Sequence, residues 1–135
     1  MAIIFLAFDD VLVVHRDQIA RYGGSAGVRD EGLLKSAIGT VEATFAGEWL
    51  HEFPHGMAAA YLFHIAANHP FIDGNKRAGF ACALAFLDQN GSRFDAGHAR
   101  ALEMVLSVAR GEMEKEAVID FFRQHVKPAT PPGDT

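Results

Sequence analysis

The stretch at 56–91, GMAAAYLFHIAANHPFIDGNKRAGFACALAFLDQNG, holds two apolar runs of helical length on either side of a short loop crowded with polar residues. The first run, GMAAAYLFHIAANH, is apolar almost all round, as a helix buried at the centre of a bundle must be. Pro70 ends it, because proline has no N–H to continue the ladder. The second helix is predicted from about Lys76 to Asn90, with Gly91 as its stop. Asn75 is placed to cap it. The loop between them carries His69, Phe71, Asp73, Gly74, Lys76 and Arg77.

Outward from this pair, the rest of the chain also reads as helices. In DDVLVVHRDQIARYGG, Asp9 or Asp10 can cap a helix whose Val11, Val14, Ile19 and Tyr22 keep helical spacing, and Gly23 and Gly24 end it. In RDEGLLKSAIGTVEATFAG, Asp30 offers a cap and Leu33, Leu34, Ala37, Ile38 and Val41 form one apolar face. The segment TFAGEWLHEFP at 44–54 lacks clean periodicity and reads as a loop or short hairpin. DAGHARALEMVLSVARG and EKEAVIDFFRQHV complete the set. With no convincing strand pair, the expected fold is all-α: a single-domain helical bundle of about six helices spanning residues 1–127. The Pro-rich remainder, 128–135, is expected to be a disordered tail.

Composition narrows the function. The chain has 135 residues, half of them hydrophobic, enough for one sizeable core. Lys plus Arg total 12 against 17 for Asp plus Glu, a net charge of −5 that argues against a broad surface for nucleic acid. One cysteine, Cys82, allows no internal disulfide. The apolar opening MAIIFLAF stops at Asp9, short of the roughly 20 residues a membrane helix needs, and has no signal-peptide pattern. A cytoplasmic protein, without membrane attachment, is expected.

The crowded loop suits phosphate chemistry. A helix N-terminus preceded by glycine is an anion site, since its N–H groups have no intrahelical acceptor and the macrodipole is positive there. Lys76 and Arg77 in that first turn oppose the dipole by about 0.3 to 1 kcal/mol unless something anionic compensates. A polyphosphate would do so, with Arg77 forking onto two oxygens and Lys76 acting as a mobile point charge. Asp73 can hold the magnesium that accompanies such phosphates, and His69 can take a proton near neutral pH. Phe71 reads as a structural anchor pinning the loop. Taken singly, each residue has an ordinary structural explanation; the conjunction of base, carboxylate, anion cradle and two cations does not. It points to phosphoryl or nucleotidyl transfer to a hydroxyl.

HPFIDGNKR resembles the signature of the Fic superfamily, which runs His, any residue, Phe, any residue, Asp or Glu, Gly, Asn, Gly, Arg, any two residues, Arg. Lys76 replaces the second Gly and Phe80 the final Arg, and both departures resemble the death-on-curing (Doc) branch, toxins of bacterial and phage toxin–antitoxin pairs. RYGGSAGVRDEGLLKSAI is similar to the glycine-rich turn and second helix of that branch.

The resemblance implies ATP and Mg2+ as cosubstrate and cofactor. His69 becomes the base, Asp73 the magnesium ligand, Gly74 and Asn75 the phosphate cradle, and Lys76 and Arg77 the phosphate-binding cations. It implies a flap over the active site that docks the target, with 44–54 in that place and Trp49 and Phe53 lining it. Fic proteins are often inhibited by a helix with Ser or Thr, three residues, Glu and then Gly or Asn. Only TFAGEW at 44–49 comes near, so the inhibitor is expected in trans, as an antitoxin whose C-terminal segment lies along the toxin. The implied target is a translation factor such as elongation factor Tu. With Lys76 in the cradle and no charge at Phe80, ATP is expected to bind reversed and present its γ-phosphoryl group, making a kinase; the alternative is an ordinary Fic AMP-transferase.

Two readings compete from outside this family. HEFPH at 51–55 matches the zinc-metalloprotease pattern of paired His around a Glu, but Pro54 would break the helix that pattern requires, at about 3 kcal/mol. A non-catalytic helical module binding a partner peptide would leave the cations of the loop unexplained.

Overall fold

The computed structural model describes residues 2–129. Six helices form the bundle: α1 Phe8–Tyr22, α2 Glu31–Val41, α3 His55–Asn68, α4 Asn75–Gln89, α5 His98–Ala109 and α6 Lys115–His125. Two antiparallel ribbons accompany them, β1 Thr44–Phe45 with β2 Glu48–Trp49, and β3 Ser92–Phe94 with β4 Val126–Pro128. The architecture is all-α as expected. The first ribbon lies within 44–54, the segment read as a loop or short hairpin. The second was not foreseen, since three-residue strands pairing Arg93 with Lys127 are too short to display a two-residue period.

α3 is the central helix, packed against α2, α4, α5 and α6. Met57 to Leu62 and Ile65 are buried, so it has no solvent face to make polar. Gly79 lets α4 approach it closely: a Cβ there would stand 3.1 Å from the Leu62 carbonyl oxygen. The N-terminal run is not helical before Phe8. Leu6 is buried, its N–H donating to the Tyr61 hydroxyl at 2.9 Å, and the Asn90 amide holds Ile4 by two bonds of 2.9 Å.

Several expectations change at the element ends. Neither Asp9 nor Asp10 caps α1; Ala7 occupies that position, and Asp10 accepts from its N–H at 2.8 Å from inside the first turn. Asp30 caps α2 through the Leu33 N–H at 3.0 Å, as read. Asn75 does not cap α4 but is its first residue, with Gly74 at the cap. Its side chain is consumed by the backbone of Phe71 instead. α3 begins at His55 after Pro54, so HEFPH does not lie on one helix and its two His cannot share a helical face. Of the expected tail, Pro128 pairs with Ser92, and Ala129 donates to the Gly91 carbonyl at 2.9 Å; residues 130–135 lie outside the described residues. Among the described residues, no helix is long and apolar enough to cross a membrane. Cys82 is buried, which pushes its thiol up to about 12.

Candidate active site

The loop between α3 and α4 is shaped by its own side chains. α3 stops at Asn68 because His69 adopts the left-handed conformation, with φ 48° and ψ 53°. The chain then turns Phe71 into the core, where its ring stacks on His15 of α1 at 3.8 Å between centroids. Burying such a ring contributes about 1.5 to 3 kcal/mol and fixes the loop against α1. His15 adds a second tie, its Nε2–H donating to the Asp73 carbonyl at 2.8 Å. That bond sets the His15 tautomer, since a carbonyl can only accept.

Asn75 holds the turn from within. Its Oδ1 accepts from the Phe71 N–H at 2.9 Å and its Nδ2 donates to the Phe71 carbonyl at 3.0 Å, which settles the orientation of the amide. The same Nδ2 lies 3.5 Å from His69 Nδ1, too far to fix which ring nitrogen carries the proton. The His69 ring is exposed to solvent.

An open cavity of about 420 Å³ brings His69, Asp73, Gly74, Asn75, Lys76 and Arg77 together, with Ala66, Ile72 and Ala109 completing its wall. No side chain caps α4, so the N–H groups of its first turn stay available to a ligand. Gly74 has φ 75°, and a Cβ on it would stand 3.1 Å from Ile19 Cδ1 and 3.2 Å from Arg77 Nη2. A side chain here would strain the backbone and press on Ile19 and Arg77.

Asp73 is poised as a carboxylate. Oδ2 accepts from the Ser25 N–H at 3.2 Å and Oδ1 from the Gly74 N–H at 2.8 Å. These two bonds, with the nearby charge of Arg77, hold its pKa below the usual carboxylate value. Arg77 is not a free cation. Its Nη2–H donates to the Gly23 carbonyl at 2.9 Å and its Nη1–H more weakly to Gln18 at 3.4 Å, so it also ties the end of α1 to the site. Lys76 is exposed. Phe80 is half-buried, packed edge-on against Phe94.

The segment lying over this loop is 23–30, and not the hairpin at 44–54. Val28 forms a β-bridge with Phe71, Ile72 N–H donates to the Gly27 carbonyl, and both Arg29 and Asp30 N–H groups donate to the Pro70 carbonyl. Arg29 reaches further, its guanidinium donating to the carbonyls of His69 and Asn68. Trp49 instead packs on Phe5, and Phe53 on Phe86. Phe86 is eleven residues beyond Asn75, roughly 16 Å along α4 from the cavity. Trp49 stays exposed beside Phe5, and Phe53 is half-buried against Phe86. His15, Ser25 and Arg29 were missed as site residues. The glycine-rich run RYGGSAG was the signal available for the 23–30 segment.

The chain matches the model of the Fic/DOC family over residues 5–87. It is 33% identical over 117 residues to the "Protein kinase doc" of Escherichia phage P1, covering 86% of this chain and 90% of that protein. It is 35% identical over 99 residues to the "Toxin Doc" of Mycolicibacterium smegmatis, covering 72% and 76%. The chain belongs to the Fic/Doc family, in its Doc branch.

Proposed function

We propose that this chain is a toxin that transfers the γ-phosphoryl group of ATP to a Ser or Thr hydroxyl of a target protein. The observation that carries the reading is the single cavity in which an exposed imidazole, an ionised carboxylate and the uncapped N-terminus of α4 meet. The names of the two relatives support it, one a protein kinase and one a toxin.

In this reading His69 accepts the proton of the target hydroxyl, whose oxygen forms the new bond to phosphorus as the bond to ADP breaks. The donor set suits a hard cation and phosphates: Asp73 would hold Mg2+, and the cradle at Gly74 and Asn75 would hold phosphate oxygens through the open backbone N–H groups at the start of α4. The magnesium supplies charge neutralisation on the phosphates. Lys76 and Arg77 stabilise negative charge on the transferring group, Arg77 already fixed in direction by its bonds to α1. Lys76 standing where a phosphate would need space, and uncharged Phe80 nearby, favour the γ over the α position. AMP transfer is the second reading, favoured by the exposure of Lys76, which lets it swing aside.

The partner is an antitoxin supplied in trans. A groove of about 510 Å³ between α1, α4 and α5, lined by Tyr22, Phe80, Leu84 and Leu102, suits an amphipathic segment. It shares Lys76 and Arg77 with the cavity, so its occupant would meet the phosphate site. The target class is a translation factor such as elongation factor Tu, and the reaction is cytoplasmic. Mass spectrometry of a lysate treated with the protein and ATP tests the proposal. A phosphoryl mass on one protein is expected; AMP mass, or no modification with growth and translation untouched by soluble expression, overturns it.

A further inference from the structure

We infer that Arg29 is a positioning residue for His69, an inference that rests on His69 being the base. α3 ends at Asn68 with its last carbonyls lacking intrahelical donors. Arg29 Nε–H donates to the His69 carbonyl at 2.7 Å and Nη2–H to the Asn68 carbonyl at 3.1 Å. Those two carbonyls belong to the peptide planes on either side of the His69 Cα. Holding both planes fixes φ and ψ of His69, and with them the direction in which its imidazole leaves the backbone.

Nothing else described does this for the ring. The imidazole is exposed, and its hydrogen-bond contact is the long one to Asn75 at 3.5 Å. Its left-handed backbone is one that a residue with a Cβ adopts reluctantly, so orientation has to come from outside the residue. Arg29 is itself anchored. Its N–H donates to the Pro70 carbonyl at 2.7 Å and the Asp30 N–H to the same oxygen at 3.0 Å. Three consecutive carbonyls, those of Asn68, His69 and Pro70, are therefore held by residues 29 and 30. A planar fork is required to span two of them, which a lysine cannot supply.

The test compares wild type, Arg29→Ala and Arg29→Lys in target phosphorylation, with melting curves to set the folded fraction. A misaligned base lowers kcat by about 10- to 100-fold per folded molecule while leaving the KM for ATP within about 2-fold. Arg29→Lys restores the charge at the end of α3 but not the fork, and should stay nearer Arg29→Ala than wild type. Wild-type kcat per folded molecule in Arg29→Ala, or full activity in Arg29→Lys, overturns the inference. A second readout is independent of any activity. In ¹⁵N–¹H correlation spectra the His69 ring should give one sharp set of signals in wild type and broadened or shifted signals in Arg29→Ala. If the wild-type chain transfers nothing, the proposed function fails and these ring signals decide the inference alone; unchanged signals reject it.

Discussion

Gly24 lies against the carboxylate that is proposed to hold magnesium, and replacing it by alanine should impair the site in a way its neighbour Gly23 does not. Gly24 has φ 115°, and a Cβ there would stand 2.7 Å from Asp73 Oδ2, 3.0 Å from Arg77 Nη2 and 3.1 Å from Ile19 Cδ1. Gly23 also has positive φ, 84°, but its Cβ would meet nothing within 4 Å. Each substitution therefore carries a backbone strain of about 1 to 3 kcal/mol. At roughly 4 °C per kcal/mol for a domain of this size, both variants should melt about 4 to 12 °C lower. Only Gly24→Ala also displaces Asp73, because a 2.7 Å approach cannot be kept and Arg77 is held by its bonds to α1. Disturbing a metal ligand in this way typically costs on the order of 10- to 100-fold in affinity. Calorimetric titration of ATP with and without magnesium on both folded variants measures it. Gly24→Ala should lose most of its magnesium-dependent affinity and Gly23→Ala little; equal affinities would refute the placement of the ligand at Asp73.

The catalytic roles separate by mutation: His69→Ala should lower the rate about 10²- to 10⁴-fold with ATP binding nearly intact. Asp73→Ala should instead weaken magnesium-dependent nucleotide binding, and near-wild-type turnover in either variant contradicts the assignment. Stability should fall in mild acid, because burial lowers the pKa of His51, His55 and His64, the last from 6.5 to about 4. These rings face Lys115, Glu116, Glu52 and Arg123, and the unfolded chain takes up their protons first. Denaturant midpoints should thus be flat above pH 7 and decline from about 6.5 toward 4; constancy across that window rejects the effect.

The candidate site was legible where its chemistry is contiguous in the chain. His69 to Arg77 are neighbours in sequence, and a loop between two apolar helices leaves them few places to go. The helices themselves were legible from α3, whose apolar surface all round marks a centre, and from the Asp30 cap. What covers the loop was not legible. The 23–30 segment meets it through backbone groups some forty residues away in sequence, as in the Val28–Phe71 bridge, and glycine-rich backbone has no side-chain period to read. Asn75 illustrates the other failure: an Asn before a helix reads as a cap, yet the Phe71 backbone competes for both ends of its amide and wins. Trp49 and Phe53 were placed by the resemblance of the loop before the central helix to a flap, whereas their rings pack on Phe5 and Phe86.

Whether the γ-phosphoryl group is transferred is tested most directly by incubating the protein and its target with ATP labelled at either the α or the γ phosphorus. The proposed reversed nucleotide, with Lys76 in phosphate space and no charge at Phe80, predicts that the target is labelled from the γ position alone, and that His69→Ala abolishes the labelling. Label arriving from the α position would contradict the account and make the chain an AMP-transferase.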